Sequence, residues 1–168
     1  YVSKLSFEDQ GLIIKFDNWR CKLTNPQYNY VKYLRGNNRN IKYTYYELRK
    51  AHLLNEYLNF YPEYDIQFKE FTKELYRMTK KLFNFYQNFR VNKTIQYEDI
   101  DYPYRPLVYA LHGLYLNNKT VISFARVKEY VNKMPSAQIL FVLHYKEKNR
   151  DEPTVDPDHV VEDPLEEV

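Results

Sequence analysis

The side chains able to do chemistry are few and scattered along the chain. His52, His112 and His144 fall on stretches with helical patterning. None has a second histidine four residues away or an H-E-x-x-H frame, so each reads as a structural or surface histidine. Glu98, Asp99 and Asp101 form a small acidic cluster in a polar connector, which suits a solvated loop better than a divalent-ion site. Tyr102, Tyr104, Tyr109 and Tyr115 surround Arg105, an assortment able to stack on unpaired bases. Tyrosines at helical spacing more often face a core, and core packing is the expected use here. Cys21 is the one cysteine, which excludes an internal disulfide and a cysteine-built zinc site. No metal-ligating set stands out.

Charge is more informative than any single residue. The net charge of +3 hides a division. Residues 151–168 hold eight acidic residues and neither Lys nor Arg, leaving 14 acids against 25 bases over 1–150, about +11. A basic body with 19 Tyr and 10 Phe suits a polyanion such as RNA. A lysine-rich solvated surface, of the kind an AT-rich genome encodes, accounts for the same composition.

Residues 8–35, EDQGLIIKFDNWRCKLTNPQYNYVKYLR, carry the most specific pattern. Gln10-Gly11-Leu12-Ile13-Ile14-Lys15 resembles the fourth motif of covalent nucleotidyltransferases, in particular the ATP-dependent RNA ligases of phages and large DNA viruses. Arg20-Cys21-Lys22-Leu23-Thr24-Asn25-Pro26 resembles the fifth motif and its continuation into a helix. The resemblance covers about a fifth of the chain. It implies that Lys22 contacts a nucleotide phosphate and that Lys15 lines the same pocket, since phosphoryl transfer is mainly positioning and charge stabilisation. It implies ATP and Mg as cofactors of an active parent protein. Three departures bear on activity. The motif's acidic residue aligns with Gln10, and Asp9, one position away, points to the opposite strand face. The second lysine of the fifth motif aligns with Thr24. The nucleophile motif K-x-D-G is absent, so this chain alone has no catalytic lysine and cannot form lysyl-AMP in the family's way.

The elements that would position these residues are legible from periodicity. Residues 11–16 and 20–24 are short β-type runs joined at Asp17-Asn18, a hairpin too small to be stable alone. It should pack on helices or on further strands. Asn25-Pro26 opens a short helix stopped by Gly36. A helix is predicted over 40–60, with Tyr43, Tyr46, Ala51, Leu54 and Leu58 as its stripe. After Pro62, Phe68, Phe71, Leu75, Met78, Leu82, Phe85 and Phe89 alternate spacings of three and four, which predicts one buried helix of nearly thirty residues. A connector covers 92–103. Pro106 starts a helix ended by Asn117-Asn118, Ser123 caps 124–133, and Ser136 caps another helix from 137.

The expected class is therefore mainly α with a small N-terminal β-hairpin: residues 1–25 as the end of a nucleotidyltransferase-like β region, 26–150 as a helical domain, and 151–168 as an acidic tail that is disordered or held by a partner. No apolar run reaches membrane-spanning length, and no signal peptide opens the chain, so a cytoplasmic setting, of a host cell or a virion, is expected. The start on Tyr1 rather than Met points to the tail of a longer polypeptide or a processed product.

Three functions follow. In the first, the chain is the C-terminal part of an RNA-ligase-like protein, working with upstream residues or a partner subunit, with Arg20, Arg35 and Arg39 as RNA-backbone contacts. In the second it is a non-catalytic nucleic-acid-binding or virion protein derived from a degenerate ligase. The third is an interaction protein that uses the 62–91 helix and the acidic tail.

Overall fold

Apolar and polar residues alternate along 14–16 and 19–24, and a two-residue turn between them leaves only one way to pair the strands. A computed structural model of the chain describes residues 2–148 and shows that pairing. Strands β1 (Gly11–Phe16) and β2 (Trp19–Thr24) are antiparallel, with Gly11 opposite Thr24 and Phe16 opposite Trp19. Asp17 takes φ 44° at the turn, a left-handed conformation that a short polar side chain tolerates. Gly11 is required where it stands. Its φ is +133°, and a Cβ there would meet the Leu23 carbonyl oxygen at 2.0 Å.

Asn25 joins this ribbon to the helices. Its Oδ1 accepts from the Gln27 amide at 3.0 Å, capping helix α1 (Pro26–Arg35). Its Nδ2 donates to the carbonyls of Ser6 (2.8 Å) and Asp9 (3.0 Å), and its own amide donates to the Gln10 carbonyl at 3.0 Å. The side chain is fully buried. A ring contact between Phe7 and Phe60 adds a second attachment.

Among the described residues the helical body has seven α-helices: α1, α2 (Ile41–Lys50), α3 (Leu54–Phe60), α4 (Asp65–Tyr86), α5 (Arg105–Asn118), α6 (Phe124–Lys133) and α7 (Ser136–Lys148). Helix α4 is its axis and touches α2, α5, α6 and α7. Phe68, Phe71, Leu75, Met78 and Leu82 are buried along it as the spacing predicts, while Phe85 and Phe89 are only partly buried. Past Tyr86 the helix widens into a π turn over Gln87–Val91, where the Asn92 amide reaches back five residues to the Gln87 carbonyl at 2.8 Å. Around α4 the core is aromatic. Tyr45 packs edge-on against Tyr46, Phe68 and Phe71, and Tyr57 stacks on Phe68 at 5.5 Å. The Tyr45 hydroxyl is satisfied by Thr72 Oγ1 at 2.8 Å. No helix among the described residues is long and apolar enough to cross a membrane.

Two expectations need correction. The predicted helix over 40–60 is two helices, broken at His52, whose φ is +61°. No Gly, Pro or capping side chain marks that boundary. Packing sets it, because the break lets Leu48 and Tyr57 both enter the core from separate helices. Ser136 is the first residue of α7 rather than its cap, and its hydroxyl goes to Glu47 at 2.5 Å instead. Ser123 does cap α6, accepting from the Arg126 amide at 3.4 Å. The acidic stretch 151–168 lies outside the described residues.

Candidate nucleic-acid interface

Residues directly opposite in an antiparallel pair share a face. The register therefore sorts the hairpin into two unlike surfaces. One holds Ile13 with Lys22 and Lys15 with Arg20, closed by Thr24 beside Gly11. The other holds only apolar side chains: Leu12 with Leu23, Ile14 with Cys21, and Phe16 with Trp19. Both surfaces face solvent. Phe16 is 70% and Trp19 61% exposed.

On the cationic face nothing among the described residues neutralises Lys15 or Arg20. Among the same residues Lys22 Nζ has only the neutral Gln10 side-chain oxygen, at 3.4 Å. Like charges directly across a ladder destabilise it, and Lys15 opposite Arg20 is such a pair. An anion placed there would relieve the repulsion.

Of the sequence candidates, the fold brings Lys15, Arg20 and Lys22 together and leaves the other two arginines elsewhere. Arg35 is the last residue of α1 and Arg39 lies in the loop before α2, both exposed. The acidic connector disperses. Asp101 pairs with Lys81, Asp99 accepts from the Gln96 amide at 2.8 Å, and Glu98 contributes its backbone carbonyl to Arg105. Among the described residues no three His, Cys, Asp or Glu side chains are placed to hold a metal ion. Gln10, the side chain beside Lys22, is a neutral amide, so these residues do not fit a magnesium site.

The histidines take separate roles. His52 is the exposed left-handed residue between α2 and α3 rather than a helical one. His112 stacks on Tyr115, and burial, with Arg90 nearby, lowers its pKa. His144 Nε2 lies 3.4 Å from Lys42 Nζ. Lys42 in turn pairs with Glu74 at 2.6 Å in a cleft of about 260 Å³ that also takes in Arg77, Lys81 and Asp101. Burial, with Glu74 adding to it, raises the pKa of the nearby Tyr46 hydroxyl.

The tyrosines around Arg105 depart from expectation. Tyr104 is core, as predicted, and burial pushes its hydroxyl up to about 12. Tyr102, Tyr109 and Tyr115 are exposed instead. Arg105 lies over the Tyr97 ring at 4.5 Å, and the π turn carries Arg90 over Phe89 (4.7 Å) and Tyr109 (4.6 Å). The sequence signal for this surface was present, in tyrosines interleaved with arginine. Periodicity within α5 cannot tell which of its faces the other helices cover.

No family model matches the chain, and neither a curated protein nor a solved structure matches it.

Proposed function

We propose that this chain is the C-terminal, RNA-holding part of an RNA-ligase-like protein, with the hairpin closing a nucleotide or RNA-phosphate site. The observation that carries the reading is the directly opposed, unneutralised pair Lys15 and Arg20, with Lys22 beside them on one hairpin face. A cluster of this kind costs stability, and a phosphate returns it. The other hairpin face supports the same reading. Five apolar side chains left exposed on that face among the described residues (Leu12, Ile14, Phe16, Trp19 and Leu23) are what the end of a larger sheet presents to the layer it packs on. In an active parent, Lys15 and Lys22 would hold the ATP phosphates and ATP would supply the adenylyl group. The nucleophile would come from outside these residues.

A second reading is favoured by the contact between Lys22 and Gln10. A neutral amide in place of an acid keeps the lysine charge for a polyanion and forgoes metal placement, which describes a non-catalytic RNA-binding descendant of a ligase.

Binding of the chain to a short single-stranded RNA across a salt titration tests both readings, with ATP-dependent adenylylation followed in parallel. Lys15→Ala, Arg20→Ala and Lys22→Ala together should reduce the slope of log affinity against log salt by about 2, at roughly 0.7 per phosphate contact on a single strand. An unchanged slope would remove the hairpin face from RNA binding. Adenylylation by the chain itself would contradict its lack of a nucleophile motif.

A further inference from the structure

A groove on the helical body, remote in sequence from the hairpin, is lined by Tyr97, Tyr102, Arg105, Pro106, Tyr109 and Phe141, and encloses about 580 Å³. We infer that it is a base-stacking site for single-stranded nucleic acid. It shares a ligand class with the function proposed above but none of its residues, and it stands even if the hairpin face proves inert.

The first argument is exposure. Tyr102 is 59%, Phe141 51%, Tyr109 48% and Tyr97 39% exposed, in a protein that buries Tyr45, Tyr57 and Tyr104. A rim of half-exposed rings around one concavity is apolar surface left for a ligand.

The second is rigidity. Tyr102 stacks on Tyr145 at 5.5 Å with planes 25° apart, and Phe141 meets Tyr145 edge-on at 5.7 Å. Tyr97 meets Tyr109 at 6.1 Å. Arg105 is pinned by Nε donating to the Ile100 carbonyl at 2.9 Å, which holds its plane against Tyr97. Rings and guanidinium are thus set before a ligand arrives, so little side-chain entropy is lost on binding.

The third is charge. Among the described residues the one charged side chain lining the groove is Arg105, and Arg90 lies against Tyr109. Of the three acids in the preceding connector, Asp101 is paired with Lys81, Asp99 accepts from a backbone amide, and the exposed Glu98 does not line the groove. A proline-rich peptide also docks on aromatic grooves. The cationic lining, in a body carrying about +11 over residues 1–150, favours the polyanion.

Stacking reads bases and phosphate contacts do not, so an abasic strand separates them. Fluorescence anisotropy of the whole chain would compare a labelled eight-nucleotide oligo(A) with an abasic oligomer of the same length and charge. The wild-type chain should bind oligo(A) about tenfold more tightly, within the range for loss of an aromatic partner to a base. Tyr102→Ala and Phe141→Ala should each lose most of that difference without changing abasic binding, and Tyr102→Phe should keep it. Both side chains are more than half exposed, so the helical circular dichroism should be unchanged. The hairpin triple variant should weaken both ligands equally, which separates failure of the hairpin reading from failure of this one. Equal affinity of the wild-type chain for the two oligomers would overturn the inference. So would alanine variants that bind oligo(A) like the wild type, no binding of either strand, or a proline-rich peptide whose binding alone depends on Tyr102.

Discussion

The hairpin and the helical body are built from similar amounts of apolar side chain per residue and treat them in opposite ways. In the body, Leu82, Leu107, Val108, Leu111 and Val127 are fully enclosed, around an aromatic cluster centred on Tyr45 and Phe68. In the hairpin, Leu12, Ile14, Phe16, Trp19 and Leu23 all face solvent. The body's stability comes from burial. The ribbon has its ladder and little else, which is below what an isolated two-stranded hairpin needs. The difference teaches that the body's apolar side chains hold it together while most of the hairpin's contribute little burial of their own.

Substitution can break that comparison. Leu82→Ala should cost about 2–5 kcal/mol in chemical denaturation, because it leaves a cavity in the core beneath the last turns of α4. Phe16→Ala should stay within roughly 0.5 kcal/mol, the range for exposed positions. A comparable loss at Phe16 would mean that the apolar face is covered in solution and the two regions are not unlike after all.

The joint between the regions comes next in size. Asn25→Ala removes a helix cap and the two Nδ2 donations to the carbonyls of Ser6 and Asp9, although the Ser6 carbonyl still accepts from the Asp9 amide at 3.0 Å. The expected cost is roughly 1–2 kcal/mol, about 1 for the cap and the rest for the lost side-chain hydrogen bonds, since water can reach the exposed Ser6 and Asp9. Amide exchange should rise first over residues 5–24 and leave α4 protected. Equal loss of protection in both regions would show that they unfold as one unit.

The smallest effect sharpens the comparison through pH. Burial pushes the Tyr57 and Tyr104 hydroxyls from 10 up to about 12. The folded body keeps those protons where the unfolded chain releases them. Their contribution is whole below pH 10 and is lost as pH rises through about 12. Thermal melts followed by circular dichroism should therefore show falling stability over pH 10–12, and Tyr104→Phe should flatten part of that fall. An unflattened curve would place the alkaline loss elsewhere.

Much of the fold is legible in the sequence because it depends on near neighbours. The stripe from Phe68 to Leu82 is set by 3.6-residue geometry, and Asn25-Pro26 and Ser123 carry their own capping chemistry. The hairpin turn at Asp17-Asn18 belongs to the same class. The break at His52 does not, since it answers to packing between α2, α3 and α4. The partner of Ser136 is 89 residues away at Glu47, beyond any local pattern.

The candidate sites divide along the same line. The two unlike hairpin faces are legible once alternation and turn length are known, because pairing register follows from them. The arrangement around Arg105 is not. Tyr102 and Tyr104 are two residues apart and of one type, yet one is exposed and the other buried. The sequence by itself determined the helical class, the cationic strand face and the ring-rich composition, all consequences of backbone periodicity and residue type. Only the tertiary structure decided which tyrosines the helices cover, because burial depends on the arrival of distant segments such as α7, which no local spacing records.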